Sequence, residues 1–87
     1  MKVENVLEER EVSYGKFTTH AELAQDLKQA IKTNMHPLKS LDADQAEALD
    51  MICHKIARII NGNPDYIDNW VDIAGYAMLV ANRLEEG

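Results

Sequence analysis

The chain has 87 residues, 46% of them hydrophobic, and its 9 Lys and Arg against 15 Asp and Glu give a formal net charge of −6. So acidic a surface excludes a sequence-independent grip on a phosphate backbone, which needs a basic face. The single cysteine, Cys53, excludes an internal disulfide and a cysteine-built zinc site. One domain, 1–87, is expected, with a core small enough that self-association would add useful burial. In the first segment Val3, Val6, Leu7 and Arg10 recur at helical spacing, which predicts a short amphipathic helix over 2–12 that stops before Gly15. Tyr14 and Phe17 flank that glycine as apolar pins. Acids fill the stretch where an export signal needs an apolar run, and no window reaches the roughly 18 apolar residues of a membrane span. A cytoplasmic protein with no membrane or nucleic-acid partner is expected.

The second helix is predicted over about 20–33. Thr19 and Glu22 have capping-box spacing, and Leu23, Ala24, Leu27, Ala30 and Ile31 make its apolar face. Pro37 biases Met35 and His36 away from helix in the connector 34–40 that follows. Asp42 and Gln45 repeat the capping spacing ahead of a third helix, whose broad apolar face carries Leu49, Ile52, Cys53, Ile56, Ala57, Ile59 and Ile60 up to Gly62. Asn63 and Pro64 then open the fourth helix, with proline in the first turn, where its missing donor costs nothing. That helix is apolar almost all round, with Trp70, Ile73, Ala74, Ala77, Val80, Ala81 and Leu84 on one stripe and Val71, Met78 and Leu79 outside it. Such a pattern predicts the central helix of the fold. With no strand alternation and no repeat, the expectation is all-α, a compact bundle of about four helices.

A 100° step per residue gathers Glu47, Asp50, His54 and Arg58 on one edge of the third helix. On the fourth it gathers Asn69, Asp72, Tyr76 and Arg83, with Asp68 and Gly75 beside them. A short Asn-Gly-Asn-Pro link demands antiparallel packing, which would turn these two edges toward each other. Asp72, flanked by Val71 and Ile73, then needs either a cationic partner, Arg58 or Lys55, or a metal. Gly75 costs about 1 kcal/mol relative to Ala in mid-helix, a cost that close helix contact or the approach of a ligand would offset. Neither a glycine-rich phosphate loop, nor a nucleophile elbow, nor a His-x-x-x-His pair is present.

The stretch from His54 to Leu84 holds a His-Lys-x-x-Arg-Ile helix, an Asn-Gly turn and an Asp-x-Trp-x-Asp-Ile-Ala-Gly-Tyr helix. It resembles a group of small phage- and prophage-encoded proteins of unknown function, and the segment from Glu8 to Phe17 resembles the same group. More distantly the pattern is similar to a phage nucleotide-modification-associated domain and to the MazG-like all-α nucleoside triphosphate pyrophosphohydrolases. Those enzymes hold magnesium with a Glu-x-x-Glu pair and a later Glu-x-x-Asp pair that an aromatic often follows four residues on. The resemblance matches Asp72 and Tyr76 to the later Asp and its aromatic, with Asn69 standing where the Glu would be. Glu47 and Asp50 stand for the first pair, or, in another alignment, Lys55 and Arg58 do.

The likenesses, with the short chain, the nearly all-apolar last helix and Asn69 in place of the Glu, lead to the expectation of a homo-oligomeric helical accessory protein that binds a nucleotide or a phage or host protein without strong catalysis and without a cofactor. Its candidate polar cluster is Glu47, Asp50, His54, Lys55, Arg58, Asn69, Asp72 and Tyr76. The alternative is a magnesium-dependent pyrophosphohydrolase of deoxynucleotides, with Asp68 and Asp72 as metal ligands, Glu47 and Asp50 beside them, and Arg58 or Lys55 neutralising charge. A third reading makes the polar edge an internal ion-pair seam.

Overall fold

The structure, a computed structural model, describes residues 15–87. Over these the chain is all-α, with α1 Phe17–Thr33, α2 Ala43–Asn61 and α3 Ile67–Glu86 and no strand. The described residues thus hold three helices of the expected four; the helix expected over 2–12, and Tyr14, lie outside them.

Gly15 takes the left-handed conformation expected of it, at φ +82°. A Cβ there would collide with the backbone carbonyl of Asn61, so only glycine lets the start of α1 lie on the end of α2. This turn also corrects the expected start of α1. It presents the Lys16 carbonyl to the His20 N–H at 2.9 Å, so the helix begins at Phe17. Thr19 falls inside the first turn and caps nothing, and the N-cap, Lys16, makes no side-chain cap bond. At the other end Asn34 closes α1, with its backbone N–H on the carbonyls of Ala30 and Ile31 and its Nδ2 on Ala30 at 2.7 Å.

α2 opens on the expected capping box, the Asp42 N–H donating to Gln45 Oε1 at 2.8 Å. The start of α3 departs from expectation. Pro64 is not in the helix but second in a turn, where its fixed φ is equally suited. Asn63 organises that turn, accepting the Asp65 N–H on Oδ1 at 2.9 Å and the Tyr66 N–H on its carbonyl at 3.2 Å. Trp70 Nε1 donates to the Pro64 carbonyl at 2.8 Å, tying the turn to the first turn of α3.

The central helix is α2, not the last one. α1 and α3 each pack on α2 and, among the described residues, not on each other. Its buried Ala48, Cys53, Ala57 and Ile59, with Ala24 from α1, make a narrow core whose small side chains let the backbones approach. α3 buries only Asn69, and its Ile67, Val71, Met78 and Leu79 are exposed. A helix apolar all round has more apolar surface than one neighbour can cover, so this pattern marks an outer helix with an uncovered side. Around Gly75 the described residues supply nothing within 4 Å of an added Cβ, so the close helix contact expected there is not made among them. Gly75→Ala is therefore expected to stabilise the single chain by about 1 kcal/mol, raising the melting midpoint of dilute protein by roughly 4 to 8 °C.

Candidate functional site

Two polar seams flank α2. Between α2 and α3, Lys55 Nζ meets Asp72 Oδ2 at 3.0 Å; the Lys55 side chain is 10% exposed and that of Asp72 45%. Near the open end, Arg83 grips Asp44 through Nε at 2.8 Å and Nη2 at 2.6 Å, and reaches Asp42 through Nη2 at 3.0 Å. The bidentate fork with Asp44 holds that carboxyl below its ordinary range and raises the guanidinium of Arg83. From Asp44 to Lys55 and from Arg83 back to Asp72 the spacing is eleven residues, so both ties specify one antiparallel register. They also put an acid in the first turn of α2 and a base in the last turn of α3, as the helix dipoles favour.

The expected facing of two polar edges does not occur. His54 and Arg58 turn toward α1, and Lys55 alone of the α2 candidates meets Asp72. The reason is the 100° step: His54 and Lys55 are sequence neighbours on different sides of a helix packed on both sides. Asp72 therefore pairs with Lys55, one of its two expected cations. Asn69 is 1% exposed, with its Nδ2 lacking a partner, while Glu47 and Asp68 are exposed. Tyr76 and Asp72 share a shallow groove with Val71, Gly75 and Leu79. Asp50 and Glu47 lie five and eight residues from Lys55, about 7 and 12 Å along the axis. Among the described residues no three His, Cys, Asp or Glu side chains converge as metal ligands would.

The second seam lies between α1 and α2. Lys28 Nζ stands 3.0 Å from His54 Nε2, and His54 Nδ1 stands 3.4 Å from His20 Nε2. An ammonium only donates, so His54 accepts on Nε2 and carries its proton on Nδ1, from which it donates to His20 Nε2. His20 then keeps its proton on Nδ1, and that nitrogen is buried with no partner among the described residues. Phe17 lies 6.2 Å from the His20 ring. Together with Gly15, Gln25, His54 and Arg58 these residues line a cleft of about 340 Å³ at the N-terminal end of α1.

Both imidazoles titrate below their ordinary value, chiefly because they are desolvated. Each also feels Lys28, Arg58 and Lys55; His20 feels His54, and Asp50 opposes the effect at His54. A depressed imidazole stabilises the fold in its neutral form. That contribution is complete above the unfolded value of about 6.5 and is lost as pH falls through the folded value. Thermal melts should show the midpoint falling from pH 7 to pH 5, with a shallower fall in His54→Gln. Burial likewise pushes the Cys53 thiol up, with Asp50 adding to it, as suits a small buried hydrophobe.

His20 and Lys28 were not among the residues that the sequence singled out. Their signal is that His20, Ala24 and Lys28 stand four apart on the packed side of α1.

Among the described residues no helix is long and apolar enough to cross a membrane. Neither a curated protein nor a solved structure shows significant similarity to this chain. One family does match, over residues 2–84, and it is described as a domain of unknown function. The chain therefore belongs to the DUF6378 family.

Proposed function

We propose that the chain is a small all-α accessory module that binds a phosphate-bearing small molecule, a nucleotide by class, in the α1–α2 cleft without strong catalysis. One observation carries this reading: the Lys28–His54–His20 chain ends in a buried Nδ1–H with no acceptor among the described residues. A buried donor left unpaired costs about 1 to 3 kcal/mol, and a ligand oxygen that meets it on a small rotation of the His20 ring would relieve that cost. Lys28, which stands on His54 at the cleft, and the positive end of α1 favour an anion there, and Phe17 offers an aromatic face at the rim. An accessory role in a phage or prophage setting belongs to this proposal.

The test is a thermal shift with millimolar deoxynucleoside triphosphate, with and without magnesium. Ligand at a hundred times its dissociation constant stabilises by about 2.7 kcal/mol, which moves the midpoint of a domain this size by roughly 10 °C or more. The expected result is a shift without metal that disappears in Lys28→Ala and His54→Gln. A magnesium-dependent pyrophosphohydrolase is the second reading, supported by the groove that Asp72 and Tyr76 share. A shift that requires magnesium and disappears in Asp72→Ala would place it first.

A further inference from the structure

We infer that the outward side of α3 is a two-fold interface with a second copy of this chain, the two α3 helices packing antiparallel about Ala74 and Gly75. This goes beyond ligand binding and does not depend on it. Ile67, Val71, Ala74 and Met78 recur at alternating steps of four and three on the side of α3 turned away from α2. Ile67 is 69% exposed, Val71 58%, Met78 59% and the flanking Leu79 68%. From Ile73 to Asn82 not one residue is charged, in a chain whose charged fraction is 28%. Solvent-facing helix surface does not lose its charges without a reason.

The stripe is also self-complementary. Its smallest residues, Ala74 and Gly75, stand at the centre, and an antiparallel copy centred there sets Val71 of one chain opposite Met78 of the other. The open space over Gly75 is what the backbone of a second helix needs for close approach. A two-fold axis makes each patch its own partner, which accounts for one stripe serving both sides. A two-fold contact counts this exposed stripe twice toward the roughly 1,200 Å² total at which specific stable interfaces begin. The rival apolar surface, the groove of Leu41, Ala48, Leu49, Ile52, Ala77 and Val80, is less open: Leu41 and Leu49 are 38% and 36% exposed and Ala48 is buried.

Sedimentation velocity on the full chain, diluted from high to low micromolar, is expected to return a two-chain mass that dissociates on dilution. Val71→Lys alone and Met78→Glu alone should each give a single-chain mass with unchanged helical circular dichroism. The double variant Val71→Lys/Met78→Glu should regain the two-chain mass, because position 71 of each copy faces position 78 of the other. A parallel pairing would not be rescued in this way, so failure of the double variant overturns the arrangement. A single-chain mass for the unmodified protein at every concentration overturns the interface altogether. So does a dimer that tolerates both single changes and falls apart in Leu49→Glu. Should the charged variants lose helicity, Ala74→Cys supplies the second test. Two copies meeting at the axis link through that position on oxidation, Cys53 being buried, and no covalent dimer would contradict the geometry.

Discussion

Asp72→Asn is expected to cost about 2 to 3 kcal/mol of stability, somewhat below the 3 to 5 kcal/mol for breaking a fully buried pair, because the Asp72 side chain remains 45% exposed. At this chain length the loss lowers the melting midpoint by roughly 10 to 20 °C. The loss arises on α2, where the Lys55 ammonium, 10% exposed, keeps its charge and loses its counter-ion. Lys55→Met should therefore cost less than Asp72→Asn, since it removes the buried charge and leaves the half-exposed carboxylate to water. Asp42→Asn is the reference. It weakens a cap, worth about 1 kcal/mol, and leaves Arg83 its fork with Asp44. Urea denaturation of the three variants gives the order directly. An Asp72→Asn protein as stable as Asp42→Asn would mean that the α2–α3 register does not rest on the Lys55 pair.

Gly15→Ala is expected to be at least as damaging, by about 3 kcal/mol. Holding an L-residue at left-handed φ costs about 1 to 2 kcal/mol, and forcing a side chain into occupied space adds about 1 to 3 kcal/mol. Here the occupied space is the Asn61 carbonyl, whose carbon would lie 2.6 Å from the new Cβ. To admit it, the start of α1 must lift from the end of α2, and His20 moves with it. The same variant should therefore weaken ligand binding in the cleft as well as the fold. Gly15→Asn separates the two causes, because Asn tolerates the left-handed backbone but brings the same Cβ. If Asn restores stability at denaturant midpoint, conformation dominates; if it fails as Ala does, the contact with Asn61 dominates.

The presence and the ends of the three described helices were legible from spacing, because 3.6-residue periodicity, the Asp42–Gln45 box and Gly62 act within a few residues of chain, but the starts of α1 and α3 were set by turns that the spacing did not show. The all-α class followed, and so did the need of Asp72 for a cation. What local pattern could not convey was the order of packing. α3 carries the most continuous apolar surface and reads as central, yet α2 holds the centre because its buried residues face two neighbours, and no wheel drawn for one helix shows how many neighbours it has. The same geometry parted His54 from Lys55 and sent one to each seam, so the single polar edge drawn for α2 became two sites. His20 and Lys28 gained their meaning from α2, across 34 and 26 residues of sequence from His54. A hydrogen-bond chain between helices is specified by where two backbones meet, and that distance is set by the small residues Gly15, Ala24 and Ala57 that allow the approach.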